Sequence, residues 1–141
     1  MPEYLAFFHQ HPLLFAALAA VLALLLANEI HGALNAGTRV STLDAVRLIN
    51  DRNALILDVR PPAEFKKGHL LGALNMPLAR LADHAGELGK DRQRPVLVYC
   101  GLGSAAAEAA KKLRALGFAE VYPLRGGINN WLASNLPVTA K

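Results

Sequence analysis

Hydrophobic and polar positions divide the chain into two stretches that obey different rules. Residues 13–27 are fifteen consecutive apolar side chains, LLFAALAAVLALLLA, with no polar face at any helical angle. A helix built from them cannot be amphipathic. At 1.5 Å rise per residue the run reaches only about 22 Å; counting on to Ile30 and back through Phe8 supplies the length a bilayer core demands. Beyond residue 39 the pattern changes to short apolar runs at residues 54–59, 96–99 and 118–122, each of strand length and separated by stretches with helical spacing. Strands alternating with helices predict an α/β domain built on a parallel sheet.

The helices between those strands carry their own start and stop signals. Residues 41–44, STLD, have the form of a capping box, and Leu43, Val46 and Ile49 supply an apolar face behind it. Residues 104–116 are alanine-rich, with Lys111, Lys112 and Arg114 near the end and Gly117 after it, which predicts a helix with cations at its C-terminus and a glycine stop. Gly86 and Gly89 shorten whatever helix forms over residues 78–88. The expected organisation is an N-terminal tail and membrane helix over residues 1–30, a linker over 31–38 containing Gly32 and Gly37, and a domain over 39–141.

Charge gives the apolar segment an orientation. All fifteen Lys and Arg residues follow it, while the residues ahead of it carry only Glu3. A secretory signal peptide wants positive charge in its leading region, and the first basic residue here is Arg39. The positive-inside tendency places the C-terminal domain in the cytoplasm and the N-terminus outside, so the expected location is the inner, cytoplasmic membrane, crossed once through residues 13–30. Small residues four apart, such as Ala16 and Ala20 or Ala19 and Ala23, permit close helix contact and a homodimer through the span. From Arg39 onward fifteen basic residues face nine acidic ones, but they are scattered without aromatic interleaving, which argues against nucleic acid as a partner.

The one cysteine, Cys100, stands where the apolar run PVLVY at 95–99 meets the small-residue loop CGLGSA at 100–105, directly before the alanine-rich helix. A strand–loop–helix turn of this kind lets the N–H groups of residues 101–105 converge on one point, with Gly101 and Gly103 allowing the backbone angles required. A helix N-terminus stabilises negative charge there, so Cys100 is the candidate nucleophile. The competing reading is a buried cysteine that merely ends a core strand.

Three ordered blocks then resemble one family. The first is LILDVR at 55–60 with Pro61, Pro62, Glu64, Phe65, Gly68, His69, Gly72, Ala73, Asn75 and Pro77; the second is the cysteine loop; the third is LRGG at 124–127 followed by Trp131. Together, over residues 40 to 138, they resemble the single-domain rhodanese sulfurtransferases, in the membrane-anchored bacterial form. The resemblance implies a parallel sheet flanked by helices on both faces, and a sulfane sulfur carried as a Cys100 persulfide from thiosulfate or a persulfide to a thiol or cyanide. It implies no metal and no organic cofactor. Gly101, Leu102, Gly103, Ser104 and Ala105 would form the substrate-binding loop, with Asp58 and Arg60 behind it bonding each other, Glu64 or loop carbonyls. His69 reads as a structural histidine, and Trp131 as packing. His9, His11, His31 and His84 have no ligand spacing.

One position departs from the family. Many active members carry arginine as the sixth loop residue, where this chain has Ala105. Without that guanidinium a thiosulfate dianion loses charge-assisted hydrogen bonds worth roughly 1.5–3 kcal/mol each, whereas persulfide donors lose less. Phosphatase chemistry is set aside too, since the arginine it needs is replaced by Ala106. The neutral loop leaves an alternative from another class, a weakly active or inactive rhodanese-fold binding module at the membrane.

Overall fold

The computed structural model describes residues 2–35 and 39–141. It divides into two compact units, residues 1–35 and 36–141.

The first unit is helical. Helix α1 (Pro2–Gln10) gives way to α2 (Pro12–Asn35) at His11, where Pro12 lacks an N–H and disfavours helical angles in the residue before it. Aromatic rings cluster across the break, with Phe8 and Phe15 centroids 4.6 Å apart. Within α2, Pro12–His31 has a mean hydropathy of 2.3 and is not buried at all, so it is long and apolar enough to cross a membrane by length and composition. The helix continues to Asn35, so residues 31–35 are helical where a linker was expected. Gly32 alone, at about 1 kcal/mol, does not stop a helix that is otherwise well formed. The rest of the expected linker, 36–38, lies outside the described residues.

The second unit is a four-stranded parallel sheet in the order β3-β1-β4-β5. In chain order its elements are α3 (Thr42–Arg52), β1 (Leu55–Asp58), α4 (Pro62–Lys67), β2 (His69–Leu70), β3 (Leu74–Asn75), α5 (Leu81–His84), β4 (Val96–Tyr99), α6 (Ser104–Ala115), β5 (Val121–Pro123), α7 (Gly127–Ala133) and β6 (Val138–Thr139). Strands β2 and β6 form a separate antiparallel pair. Single 3-10 turns, Leu78–Arg80 and Ala85–Leu88, bracket α5, so the helix expected over 78–88 is a broken series of turns. Pro61 and Pro62 do more than end β1: Pro62 opens α4, where a missing N–H costs nothing.

Alternation along the strands sorts the core into two layers. Leu55, Leu57, Val59, Val96, Val98 and Cys100 face one side, against Leu81 of α5 and Ala106, Ala109, Ala110 and Leu113 of α6. Ile56, Leu97 and Tyr99 face the other, against Ala45 and Leu48 of α3 and Ile128 and Trp131 of α7. The apolar face expected on α3 is displaced: Leu43 is 62% exposed, and Val46 and Ile49 are only partly buried. The fully buried Ala45 has replaced them at the contact, because its small side chain lets the helix lie close to the sheet. The expected capping box is half formed, with Ser41 Oγ accepting the Asp44 N–H at 3.2 Å and donating to the Asp44 carboxylate at 2.7 Å. The third strand starts three residues later than the apolar run suggested; Phe118 is buried beneath the Arg92 guanidinium, 4.3 Å from its ring centroid, instead of pairing in the sheet.

Candidate active site

Cys100 leaves β4 at the carboxyl edge of the sheet, where ligands of open α/β folds bind. Only 5% of the residue is exposed. Its Sγ accepts the Gly103 N–H at 2.9 Å. The first i to i−4 hydrogen bond of α6 runs from Ala107 N–H to the Gly103 carbonyl at 3.3 Å, so the N–H groups of Ser104, Ala105 and Ala106 precede the helical ladder and are free for an anion. Of the five N–H groups expected to gather on the sulfur, Gly103 alone bonds it among the described residues. Leu102 is 74% exposed, and Ser104 is exposed and makes no capping bond.

The two loop glycines differ. Gly103 has φ +115°, and a Cβ there would stand 3.4 Å from Gly126 N and 3.7 Å from the Leu124 carbonyl. Gly101 has no left-handed backbone, and nothing lies within 4 Å of where its Cβ would be. The sequence reading gave both glycines a backbone role; the structure assigns that role to Gly103 and leaves open space beside Gly101.

The loop is held from an unexpected quarter. Ile128 N–H donates to the Cys100 carbonyl at 2.9 Å and Asn129 N–H to the Gly101 carbonyl at 3.3 Å. Gly127, at φ +60°, fits beneath them because a Cβ would collide with the Cys100 carbonyl oxygen and come within 2.5 Å of the Gly101 oxygen. The Gly126–Gly127 turn and the head of α7 are therefore the brace. The paired glycines signalled a turn, but the contact that makes them indispensable is non-local.

Asp58 and Arg60 sit one layer away. Asp58 is fully buried and accepts the Arg60 guanidinium at 2.7 and 3.1 Å as well as the Arg60 backbone N–H at 2.9 Å. Arg60 also donates to the Gly68 carbonyl at 2.6 Å. Glu64, expected as a partner, pairs with Lys67 instead, and neither Asp58 nor Arg60 hydrogen-bonds the cysteine loop. Their route to the site is Tyr99: Asp58 faces it in register, and the Arg60 guanidinium lies 5.7 Å from its ring centroid. Burial first, and the neighbouring Asp58 carboxylate second, raise the Tyr99 phenol above its ordinary pKa. The neutral phenol accepts the Leu70 N–H at 3.1 Å. His69 is buried, stacked on Phe65 at 3.6 Å, with Nδ1 2.8 Å from the Phe65 carbonyl. Trp131 is buried and donates to the Pro137 carbonyl at 3.1 Å.

Comparison with known proteins places this geometry. The family model described as "Rhodanese-like domain" matches residues 41–134. The chain is 34% identical over 139 residues to the uncharacterized protein YibN of Escherichia coli K12, covering 98% of this chain and 97% of YibN. It is 36% identical over 95 residues to the thiosulfate sulfurtransferase GlpE of Coxiella burnetii, covering 67% of this chain and 87% of that protein. Among solved structures, a rhodanese-related protein from Thermoplasma volcanium superimposes with a TM-score of 0.65 at 27% identity, over 74% of this chain and 99% of its own. A parallel sheet with a cysteine loop at its carboxyl edge, matched over two thirds of the sequence, makes this chain a member of the rhodanese-like family.

Proposed function

We propose that the chain is a membrane-tethered sulfurtransferase that carries sulfane sulfur as a Cys100 persulfide. The observation that carries the proposal is the Cys100 sulfur, seated at the head of α6 and accepting the Gly103 N–H at 2.9 Å. Sulfurtransferase relatives such as GlpE support the same chemistry. In the loading step the Cys100 thiolate attacks the outer sulfur of a donor; the donor's S–S bond breaks, and sulfite leaves if the donor is thiosulfate, or a thiolate if it is a persulfide. A thiol or cyanide acceptor then attacks the outer sulfur of the Cys100 persulfide, and the electron pair of the breaking bond returns to Cys100. Each step is a displacement between sulfur atoms, or onto cyanide carbon, that needs no external oxidant. The N–H groups ahead of the first helical bond stabilise whichever sulfur carries the charge.

Tethering rests on Pro12–His31, and the match to YibN spans this segment as well as the domain. In this reading the charge distribution supports a domain on the cytoplasmic side of the inner membrane. The experiment that tests the catalytic reading is mass measurement of the full chain after incubation with thiosulfate or polysulfide. Addition of one sulfur atom at Cys100, lost in Cys100→Ser, supports it; no addition with any donor supports the binding-module reading instead.

A further inference from the structure

The face of the sheet opposite the Cys100 layer is covered by α3 and α7, and two grooves run across it. One, of about 560 Å³, is walled by Leu43, Val46 and Leu136 together with Arg125. The other, of about 220 Å³, is walled by Val46, Ile49, Leu71, Trp131, Leu136 and Pro137. Val46 and Leu136 belong to both, so the grooves adjoin as one apolar track. Leu43 and Leu71 stand 62% and 71% exposed along it. An apolar patch left open in this way marks a binding surface. No acidic residue lines either groove, and Asp44 on α3 is engaged by Ser41 and Arg47.

Two cations meet this track. The Val40 carbonyl accepts the Arg125 N–H at 2.9 Å, and Arg39 precedes Val40 in the chain, so both arginines stand at the head of α3. Both are exposed, and neither has an ion-pair partner among the described residues. Four residues separate Asn35, the end of α2, from Val40, a reach of at most about 18 Å. We infer that the face formed by α3 and α7 lies on the surface of an anionic bilayer, with Arg39 and Arg125 on lipid phosphates and Leu43 and Leu71 in the interface. The assignment rests on the tethering reading of Pro12–His31 and adds what the domain does once tethered. A chain that crosses the bilayer through α2 cannot carry Val40 far from the headgroups. There the two arginines are attracted to anionic lipid, and the leucines leave water for the acyl boundary. Cys100 belongs to the core layer on the other face, so docking leaves that side of the domain to the water.

The chain has one tryptophan, Trp131, on the wall of the smaller groove, and its fluorescence reports the contact. The test reconstitutes the full chain into vesicles of brominated phosphatidylcholine with and without phosphatidylglycerol, at constant bromine content and with both leaflets alike. Bromine quenches Trp131 in the anionic vesicles. Arg39→Gln and Arg125→Gln each lower the ratio of docked to free domain about fivefold. The two together bring quenching down to its level without phosphatidylglycerol, and high salt does the same. Leu71→Ser, at an exposed position, lowers it as well. Quenching that is equal in both kinds of vesicle, or that survives the double arginine variant, overturns the assignment. So does a disulfide dimer of Leu71→Cys in a Cys100→Ser chain whose Trp131 stays unquenched, which gives the face to a second copy. Flotation at alkaline pH reads the anchor separately. A chain that floats with Trp131 unquenched keeps its anchor and loses the docked face; a chain stripped by alkali yet quenched at neutral pH loses the anchor and keeps the face.

Discussion

Three residues around the sulfur carry separable consequences. Gly127 has no room for a side chain, since its Cβ would collide with the Cys100 carbonyl. Gly127→Ala therefore destabilises the domain by about 3 kcal/mol or more, through steric overlap and a left-handed backbone together. Gly101→Ala, with open space and no positive φ, stays within about 1 kcal/mol. Denaturant unfolding of the two variants side by side checks the difference; equal losses would mean that the α7 head does not brace the loop. Ala105 tests electrostatics instead. It occupies the place of the arginine that many active members carry, so Ala105→Arg raises kcat/KM for thiosulfate about tenfold by adding a charge-assisted contact to the dianion. An unchanged value would show that backbone N–H groups alone saturate donor binding.

At the scale of elements, β1 and β4 are tied behind the loop by Asp58, Arg60 and Tyr99. The phenol of Tyr99 is held neutral in the fold, while in the unfolded chain it ionises near pH 10. Its contribution to stability is thus complete below about pH 10 and is lost as pH rises beyond that toward the folded value. Tyr99→Phe removes this part of the alkaline slope, and it costs about 1–3 kcal/mol at neutral pH because the Leu70 N–H loses its acceptor. Parallel slopes for wild type and variant between pH 9 and about 11.5 would contradict the assignment. The elements also show what could be read from the chain. The apolar runs of β1 and β4, the glycine stop after α6 and the cysteine loop were legible because each is encoded by neighbouring residues. The rolled face of α3 was not, since it depends on how closely Ala45 approaches the sheet. The bracing of Cys100 by Ile128 was hidden for the same reason: periodicity says nothing about which distant N–H will find a loop carbonyl. The apolar helix runs on to Asn35, past the expected start of the linker, because Gly32 is tolerated inside a helix and neighbouring residues alone do not mark its end.

At the scale of the whole molecule, a rhodanese-like domain and an apolar helix share one chain. If the positive-inside tendency sets its orientation, protease added to right-side-out vesicles leaves the domain intact, and protease added to inverted vesicles digests it. The reverse pattern would place the domain outside, and release of the chain into the soluble fraction would remove the anchor from the account. A membrane anchor would restrict the domain to donors and acceptors that reach the membrane surface, but the proposed chemistry stands or falls on Cys100. The most direct measurement is the intact mass of the full chain after exposure to polysulfide and, separately, thiosulfate, with peptide mapping and reversal by a thiol acceptor. The account predicts one added sulfur on Cys100, removed by the acceptor and absent from Cys100→Ser. A chain that folds, keeps its thiol reduced and gains no sulfur from either donor would contradict it.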